Sequence, residues 1–259
     1  MKTKQNMFFS LLLCLVLLIS LPLRIAAQNE LSWYFKKNSE HKQPLLDSGQ
    51  TFIEGYHCYY VDKNHGDDCD DKVIYLTFDA GYENGNVEKI LDTLKAQDVK
   101  AAFFVLSHLI SADTELVRRM ADEGHLVCNH TMSHKNMTLV KTKSEFEKEL
   151  LGLEALYSEK IGGEMPKFYR PPEGRISEDN LKILEEMGYK TILWSFAYAD
   201  WDNANQMSCE RALEKLNAGV HNGEILLLHP TSATNAAILG EFLEGLKRQG
   251  YRFGTLDEL

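Results

Sequence analysis

The chain has 259 residues, of which 44% are hydrophobic and 25% charged, and its formal net charge at pH 7 is −10. These proportions are ordinary for a globular protein and exclude a disordered chain. The excess of acidic residues argues against nucleic acid or an anionic membrane as the main partner.

The N-terminus has the three-part order of a secretory signal. Lys2 and Lys4 precede an apolar run at 7–23, and small residues follow that run. This order predicts a signal peptide over 1–27, cleaved after Ala27, so that contact with the membrane is transient and the protein works outside the cytoplasm. The alternative is an uncleaved anchor that retains the protein on the cell-wall side of the membrane, because the run is close to the shortest that spans a bilayer.

Residues 28–72 are mixed and polar, and we predict that they form an N-terminal extension of the domain that follows. Four cysteines remain after the predicted signal peptide, at Cys58, Cys69, Cys128 and Cys209. An even number in an exported chain permits disulfides without fixing their pairing, and Cys58 with Cys69 is the most local pair.

From residue 73 to the C-terminus, strand candidates alternate with amphipathic helix candidates. The strand candidates cover 73–79, 101–106, 125–130, 168–172, 191–196 and 224–229, with a weaker one at 253–256. The helix candidates cover 86–95, 114–124, 144–157, 177–188, 209–217 and 235–250. This alternation predicts parallel strands joined by crossovers. The expected fold is therefore α/β, a distorted or incomplete (β/α) barrel of about seven strands formed by 73–259.

Polar or charged side chains stand at the ends of four strand candidates. They are Asp79, His130, Arg170 and His229, and Asp200 and Trp201 follow a fifth strand. In a (β/α) barrel the active site lies at the carboxyl ends of the strands. Asp79 by itself could cap a helix or a turn. Its convergence with the other strand ends predicts a reactive site instead.

His130 and His134 are spaced four residues apart. On a helical turn this spacing puts both imidazoles on one side, where they can share a metal ion. Two structural histidines are the alternative interpretation.

Two prolines follow Arg170 and stiffen the chain, so that the arginine points one way and nearby N–H groups can face a ligand. A rigid loop with a structural arginine is the alternative. His229 ends an almost wholly apolar strand and has a pKa range suited to proton transfer at neutral pH. A lone histidine at such a position is more often structural.

Five segments, in this order along the chain, resemble the motifs of the polysaccharide deacetylase (NodB homology) domain, carbohydrate esterase family 4. They are T-F-D-A-G-Y (77–82), H-T-M-S-H (130–134), R-P-P-E-G (170–174), D-W (200–201) and L-L-H (227–229). Within that family the chain is most similar to the delta-lactam-biosynthetic de-N-acetylases of spore-forming bacteria. That similarity rests on T-F-D-A-G-Y-E-N-G (77–85), W-S-F-A-Y-A-D-W (194–201), L-L-L-H-P-T-S-A-T-N-A (226–236) and S-W-Y-F-K-K-N (32–38).

The resemblance implies a role for each site residue. Asp79 corresponds to the general base that deprotonates water, His130 and His134 to metal ligands, Arg170 to the group that holds the base, and His229 to the acid that protonates the departing amine. Asp200 would orient its partners, and a peptide N–H near Glu173 would donate to the oxyanion. The expected substrate-binding residues are Glu173, Trp201 and Tyr82.

One position departs from the family pattern. The base is usually followed by a second aspartate that completes an Asp-His-His metal site, and here that position is Ala80, which cannot ligate a metal. The lactam-forming relatives also deviate at this position. The cofactor implied is a divalent metal, with zinc expected, whose binding is weakened or altered by Ala80. Water could fill the gap, Asp79 or Glu83 could be recruited, or the site could have lost catalysis.

The expected function is a secreted peptidoglycan de-N-acetylase that acts on N-acetylmuramic acid and leads to muramic delta-lactam in the spore cortex, with peptidoglycan glycan strands as its partner. One alternative is a deacetylase of N-acetylglucosamine polymers or an acetyl-xylan-type esterase. Another is a non-catalytic glycan-binding protein that has lost its metal site. The sequence does not indicate an oligomeric state.

Overall fold

The computed structural model describes residues 30–37, 40–140 and 142–259. The predicted signal peptide at 1–27 lies outside these ranges. None of the helices within them has the length and apolar character that crossing a bilayer requires.

The secondary structure alternates between strands and helices over most of the chain. The strands are β1 Leu31–Ser32, β2 Cys58–Tyr59, β3 Lys72–Ala80, β4 Ala102–Val105, β5 Leu126–Asn129, β6 Phe168–Tyr169, β7 Arg175–Ile176, β8 Lys190–Ile192, β9 Phe196–Ala197, β10 Glu224–Leu228 and β11 Tyr251–Phe253. The α-helices are α1 Val87–Ala96, α2 Ser107–Ala112, α3 Thr114–Asp122, α4 Lys143–Lys160, α5 Glu178–Glu186, α6 Cys209–Gly219 and α7 Ala233–Arg248.

The main sheet is parallel and curls towards closure. Its strand order is β2-β8-β6-β5-β4-β3-β10-β9, and β11 pairs with the beginning of β3. The two ends of this strand order come together because β8, near the first end, and β9, at the other end, belong to one chain segment whose strand structure is interrupted at 193–195. Its first part pairs with β2 and β6, and its second part pairs with β10. The predicted distorted (β/α) barrel is therefore confirmed.

Strand β3 is buried on both faces, which explains its nearly continuous apolar sequence. Ile74 and Phe78 pack against the surrounding helices, whereas Val73 and Tyr75 pack inside the barrel with residues of β4 and β5. Because side chains alternate along a strand, the inward series continues to Asp79. The carboxylate is therefore delivered to the interior at the carboxyl end of the strand.

Most predicted elements match the structure within two or three residues, with three differences. The predicted strand 191–196 is split into β8 and β9. The weak prediction at 253–256 is misplaced, since β11 is Tyr251–Phe253. Helix α2 has six residues, which is too short to show a helical period in the sequence.

The segment 30–37 runs along the loops that follow the strands. Strand β1 pairs antiparallel with β7. The backbone N–H of Trp33 donates to the carbonyl oxygen of Gly174 at 2.9 Å, and its indole Nε1 donates to the carbonyl oxygen of Trp194 at 2.9 Å. This segment therefore builds part of the rim at the carboxyl end of the barrel.

The four cysteines in the described ranges are free thiols. The pairing of Cys58 with Cys69 that the sequence permits is therefore not formed in this structure.

Candidate active site

Arg170 follows β6 and holds Asp79 at the centre of the site. Its guanidinium is completely buried, and Nη1 donates to Asp79 Oδ1 at 2.9 Å. Nε donates to the carbonyl oxygen of Ile192 at 3.0 Å and Nη2 to that of Leu193 at 3.2 Å. These carbonyls are available because the chain leaves the regular sheet pairing between β8 and β9. The carbonyl groups at the break in the strand therefore hold the arginine side chain in place.

Asp79 is an ionised carboxylate with one oxygen left for chemistry. Burial works to raise its pKa, but the basic side chains of His130, Arg170 and His229 outweigh burial and lower it. Arg170 engages Oδ1, while Oδ2 lies 3.6 Å from His130 Nε2. Oδ2 can therefore accept a proton from a molecule in the site.

His130 is buried and neutral. Burial lowers its pKa to about 4, against the opposing effect of Asp79. Its Nδ1 lies 2.9 Å from the carbonyl oxygen of Arg170. A carbonyl oxygen only accepts, so Nδ1 carries the proton and Nε2 keeps a free lone pair. This is the tautomer that a metal ligand requires.

His134 lies beside His130 on a loop and not on a helical turn. The segment is a loop in which Thr131 has φ 74° and His134 has φ 56°. The Asn129 side chain accepts from the Thr131 N–H, and the Thr131 hydroxyl accepts from the His134 N–H, both at 2.9 Å. These local hydrogen bonds accompany a left-handed backbone, so the segment is a loop and not the helical turn on which a spacing of four residues would bring the two imidazoles to one side. The two imidazole ring centres are nevertheless 5.0 Å apart.

The donor set fits a metal held by two imidazoles. Within the described ranges, no group of three or more His, Cys, Asp or Glu side chains converges closely enough to hold an ion. Ala80 is completely buried and packs with Phe78 and Val105 in an apolar cluster. His130 and His134 would be the two protein ligands of a divalent ion, one fewer than a catalytic zinc site usually has.

Glu83 is not recruited to the histidines. Its carboxylate accepts from the backbone N–H of Gly85 and, at 3.0 Å, from that of Val87. Glu83 therefore caps the beginning of α1, where a negative charge is favoured by the helix dipole.

Asp200 orients His229 and raises its pKa. Asp200 Oδ1 accepts from His229 Nδ1 at 2.7 Å, and Oδ2 accepts from the His229 backbone N–H at 2.8 Å. Burial works to lower the pKa of His229, but the hydrogen bond and charge of Asp200 outweigh burial and raise it. With Nδ1 engaged, Nε2 is left to act as a proton donor.

Asn235, at the beginning of α7, completes this pair and was not predicted from the sequence. Its Nδ2 donates to Asp200 Oδ2 at 2.6 Å, and its Oδ1 accepts from the Tyr198 hydroxyl. Asp200 is only 2% exposed, so these contacts hold its carboxylate rigidly. The only sequence signal for Asn235 was its presence in the family-like segment 226–236.

A cleft of about 740 Å³ opens over these groups. Of the predicted site residues it is lined by Asp79, His134, Glu173, Trp201 and His229. The cleft wall also contains residues that the sequence did not mark as functional: Trp33, Tyr34, Phe35, Lys37, Trp194, Ala197, Tyr198, Ala199 and Leu227. All five aromatic residues among them fall in the two family-like segments 32–38 and 194–201.

The three predicted substrate-binding residues differ in their placement. Glu173 lines the cleft with φ 56°, and Arg175 Nε donates to its carboxylate at 2.8 Å. Trp201 is 61% exposed, and its ring centre lies 6.1 Å from that of His229. Tyr82 lies beside the cleft rather than in its lining, and its hydroxyl accepts from Asn203 Nδ2 at 2.7 Å.

Comparison with known proteins places this geometry in a family. Residues 66–192 match the model of the family described as "Polysaccharide deacetylase". The peptidoglycan-N-acetylmuramic acid deacetylase PdaA of Bacillus subtilis is 39% identical over 240 residues, which are 90% of this chain and 88% of that protein. Its solved structure, described as a family 4 carbohydrate esterase, superposes with a TM-score of 0.83 at 36% identity and covers 89% of this chain and 97% of that one.

Two more distant relatives show what else the family contains. The peptidoglycan-N-acetylglucosamine deacetylase PgdA of Listeria monocytogenes is 37% identical over 188 residues, 73% of this chain and 39% of that protein. A Bacillus anthracis protein described as a pseudoenzyme of carbohydrate esterase family 4 has a TM-score of 0.69 at 25% identity, over 78% of this chain and 68% of that one.

Proposed function

The chain belongs to the polysaccharide deacetylase family, carbohydrate esterase family 4, and we propose that within it the protein is a secreted de-N-acetylase of peptidoglycan acting on N-acetylmuramic acid. The family hydrolyses the amide of N-acetyl sugars, which makes the protein a hydrolase. Similarity to the muramic acid deacetylase over nearly the whole chain supports the choice of substrate.

The observation that carries the proposal is the pairing of a base and an acid at one cleft. Arg170 holds the pKa of Asp79 low, so that Oδ2 is ionised and accepts a proton from water as the water attacks the acetamide carbonyl. His229, whose pKa Asp200 raises, then donates its Nε2 proton to the departing nitrogen. Acetate and a free amino sugar result.

A divalent metal bound by His130 and His134 would polarise the acetamide carbonyl. His130 suits this role because its Nδ1–H donates a hydrogen bond to the carbonyl oxygen of Arg170, which leaves the lone pair of Nε2 free. Metal dependence is general among the deacetylases of this family, and the two-histidine site is our proposal for this chain.

The proposed substrate connects the reaction to lactam formation. A muramic residue carries a lactyl carboxylate on the same sugar as the nitrogen that deacetylation frees. Condensation of that amine with that carboxylate releases water and closes a lactam, provided no stem peptide occupies the carboxylate. We place this reaction in the spore cortex, outside the cytoplasmic membrane, consistent with the predicted signal peptide.

The test is acetate release from defined glycans, with the products identified by mass spectrometry. A glycan with peptide-free N-acetylmuramic acid should lose its acetyl groups. Asp79→Asn and His229→Ala should each lower the rate by about 10²–10⁴-fold, the usual contribution of a general base or acid. Full activity in both variants overturns the mechanism. Deacetylation confined to N-acetylglucosamine residues would favour the activity named for the Listeria relative.

A non-catalytic glycan-binding protein is a second candidate, because Ala80 replaces the usual ligand and the family includes a pseudoenzyme. This candidate predicts glycan binding without acetate release even when zinc is supplied.

A further inference from the structure

Glu149 places a carboxylate on the buried face of α4. The buried residues of this helix are Phe146, Glu149, Leu150, Leu153 and Tyr157, which recur at helical spacing. Such a stripe is normally apolar, yet Glu149 belongs to it and is only 7% exposed. A buried carboxylate is unfavourable unless hydrogen bonds satisfy it. Its partners therefore indicate what this residue holds in place.

Those partners lie on both sides of His134. The Ser133 backbone N–H donates to Glu149 Oε2 at 3.0 Å, and the Ser133 hydroxyl lies 2.9 Å from each carboxylate oxygen. Lys135 Nζ donates to Oε1 at 2.8 Å. The main-chain carbonyl oxygen of Glu149 also accepts from the Met132 N–H at 3.0 Å. One residue of α4 thus contacts the chain immediately before and immediately after His134.

The loop between the two histidines needs such support because its backbone is unfavourable. Thr131 has φ 74° and His134 has φ 56°, a conformation that residues with a Cβ adopt only where the surroundings hold it. The hydrogen bonds among Asn129, Thr131 and His134 connect residues that are close in the chain. Glu149 joins the same loop to a separate helix. It therefore fixes where the loop lies relative to the barrel.

The two histidines are held in different ways. His130 is fixed through its ring, because Nδ1 donates to the carbonyl oxygen of Arg170 at 2.9 Å. His134 is fixed through its backbone, since its N–H donates to Thr131 and the residues on either side of it donate to Glu149. In a site with two protein ligands, no third ligand compensates for a displaced one. The backbone of His134 therefore determines whether the ring centres keep their separation of 5.0 Å.

We propose that Glu149 is a positioning residue, which holds the loop at 132–135 from α4 and thereby sets the separation of His130 and His134 at which both imidazoles bind one divalent ion. This inference rests on the proposed function, which assigns a metal to these two histidines. Glu149 acts through Ser133 and Lys135 on the backbone of His134, without contact to the ion or the substrate.

The test is the zinc affinity of the intact protein in the absence of substrate. Glu149→Ala should raise the zinc dissociation constant, measured by isothermal titration, by about tenfold or more, the usual effect of losing a side chain that orients a metal ligand. Glu149→Gln keeps an oxygen that can accept from the Ser133 N–H, so it should lose less affinity than the alanine variant. An unchanged affinity in Glu149→Ala overturns the inference, and so does a parent protein that binds no zinc.

Glu147→Ala is the matched control. It removes the same group from the same helix two residues away, where the carboxylate pairs with Lys143 at 4.0 Å, and it should leave the zinc dissociation constant unchanged. Titrations are made at a temperature where circular dichroism shows every variant folded, so that a general loss of stability does not alter the affinity measured. An equal loss of affinity in both variants would assign the effect to α4 as a whole and overturn the role of Glu149.

Ser133→Ala gives a measurement that does not depend on how well Glu149→Ala folds. This variant loses the hydroxyl donor but keeps the backbone N–H, so it should weaken zinc binding less than Glu149→Ala does. In the double variant the two effects should be less than additive, because both act through the same contact. Fully additive effects on the zinc dissociation constant overturn the inference.

Acetate release separates this inference from the proposed function. Glu149→Ala should need about tenfold more zinc for half-maximal activity, the same factor as in its dissociation constant. If the parent protein binds zinc but releases no acetate from any glycan, the proposed function fails, and the zinc affinities still decide the role of Glu149.

Discussion

Asp79 and Arg170 form an ion pair whose arginine is completely buried, with Nη1 and Oδ1 2.9 Å apart. Each of the three guanidinium nitrogens donates a hydrogen bond. Nη1 donates to Asp79, and Nε and Nη2 donate to main-chain carbonyl oxygens at the break between β8 and β9. The pair is thus part of the barrel as well as part of the site, and its loss should affect both stability and activity.

Replacement of the arginine should destabilise the protein strongly. Arg170→Met leaves the largely buried Asp79 without the arginine that hydrogen-bonds its carboxylate, and the free energy of unfolding at pH 7, measured in urea, should fall by about 3–5 kcal/mol. Asp79→Asn added to that variant should recover part of the loss, because no uncompensated charge remains. A double variant less stable than Arg170→Met alone would contradict this explanation. As a control for charge removal, Lys36→Met breaks an exposed ion pair and should lower the free energy of unfolding far less than Arg170→Met does.

The contribution of Asp79 to stability should depend on pH in a defined direction. Its pKa is lowered in the folded protein, so the stabilisation is present above the unfolded value, about 3.9, and is lost as the pH falls through the folded value. The difference in unfolding free energy between the parent and Asp79→Asn should therefore shift in favour of the variant at acid pH. Urea unfolding of both proteins from pH 7 to pH 3 measures this difference. A difference that does not change with pH would show that protonation of Asp79 does not affect stability.

Asp200 should set the alkaline limb of the activity profile. In the proposed mechanism His229 is the acid, so activity should be lost as the pH rises through its pKa, which Asp200 raises. In Asp200→Asn that pKa falls, and the alkaline limb of kcat/KM should move to lower pH by about one unit or more. The control is Asp202→Asn, which neutralises an exposed carboxylate two residues away. An identical shift in both variants would assign the effect to general charge rather than to the 2.7 Å hydrogen bond.

A carboxylate at position 80 should restore a third metal ligand. Ala80→Asp should tighten zinc binding by about tenfold or more in isothermal titration. Without metal the same variant should unfold at a lower temperature than the parent, because Ala80 is completely buried and a lone carboxylate there is unfavourable. Ala80→Asn is the matched control, since it has the same shape without the charge. Unchanged zinc affinity in Ala80→Asp would show that a side chain at this position does not reach His130 and His134.

Gly174 should tolerate no side chain, because two tryptophans approach it. Its φ is 64°, and an added Cβ would lie 2.8 Å from the Trp194 ring and 3.1 Å from Trp33 Cβ. Gly174→Ala should lower the free energy of unfolding by about 2–4 kcal/mol, the sum of left-handed strain and overpacking. Gly188→Ala separates the two effects, since its φ is 77° and nothing lies within 4 Å of an added Cβ. If Gly174→Ala and Gly188→Ala lose the same free energy of unfolding in calorimetry, contact with the tryptophans contributes nothing to the loss at Gly174.

The fold and the main site residues could be predicted because each carries a local signal. A strand such as β3, covered on both faces, is apolar throughout its length, so the polar Asp79 at its end stands out. His130, Arg170 and His229 stand out at other strand ends for the same reason. Topology then brings these ends together, since parallel strands of one barrel all end on the same side.

The features that were not predicted correctly from the sequence lack such a local signal. The spacing of His130 and His134 suggested a helical turn, but hydrogen bonds from the Asn129 and Thr131 side chains impose a loop. Nothing near Asn235 indicates that its amide holds Asp200, because the two residues meet only after β10 and α7 are in place.

The sequence by itself thus determined the family, the barrel and the strand-end side chains that meet at the cleft, Asp79, Arg170 and His229, because apolar strands with polar ends and ordered motifs are properties of short segments. Only the tertiary structure decided that the strand between Ile192 and Phe196 breaks to receive Arg170, that Glu83 caps a helix instead of binding metal, and that the Asn235 amide holds Asp200. These features depend on contacts between segments far apart in the chain, whose partners no local pattern of residues specifies.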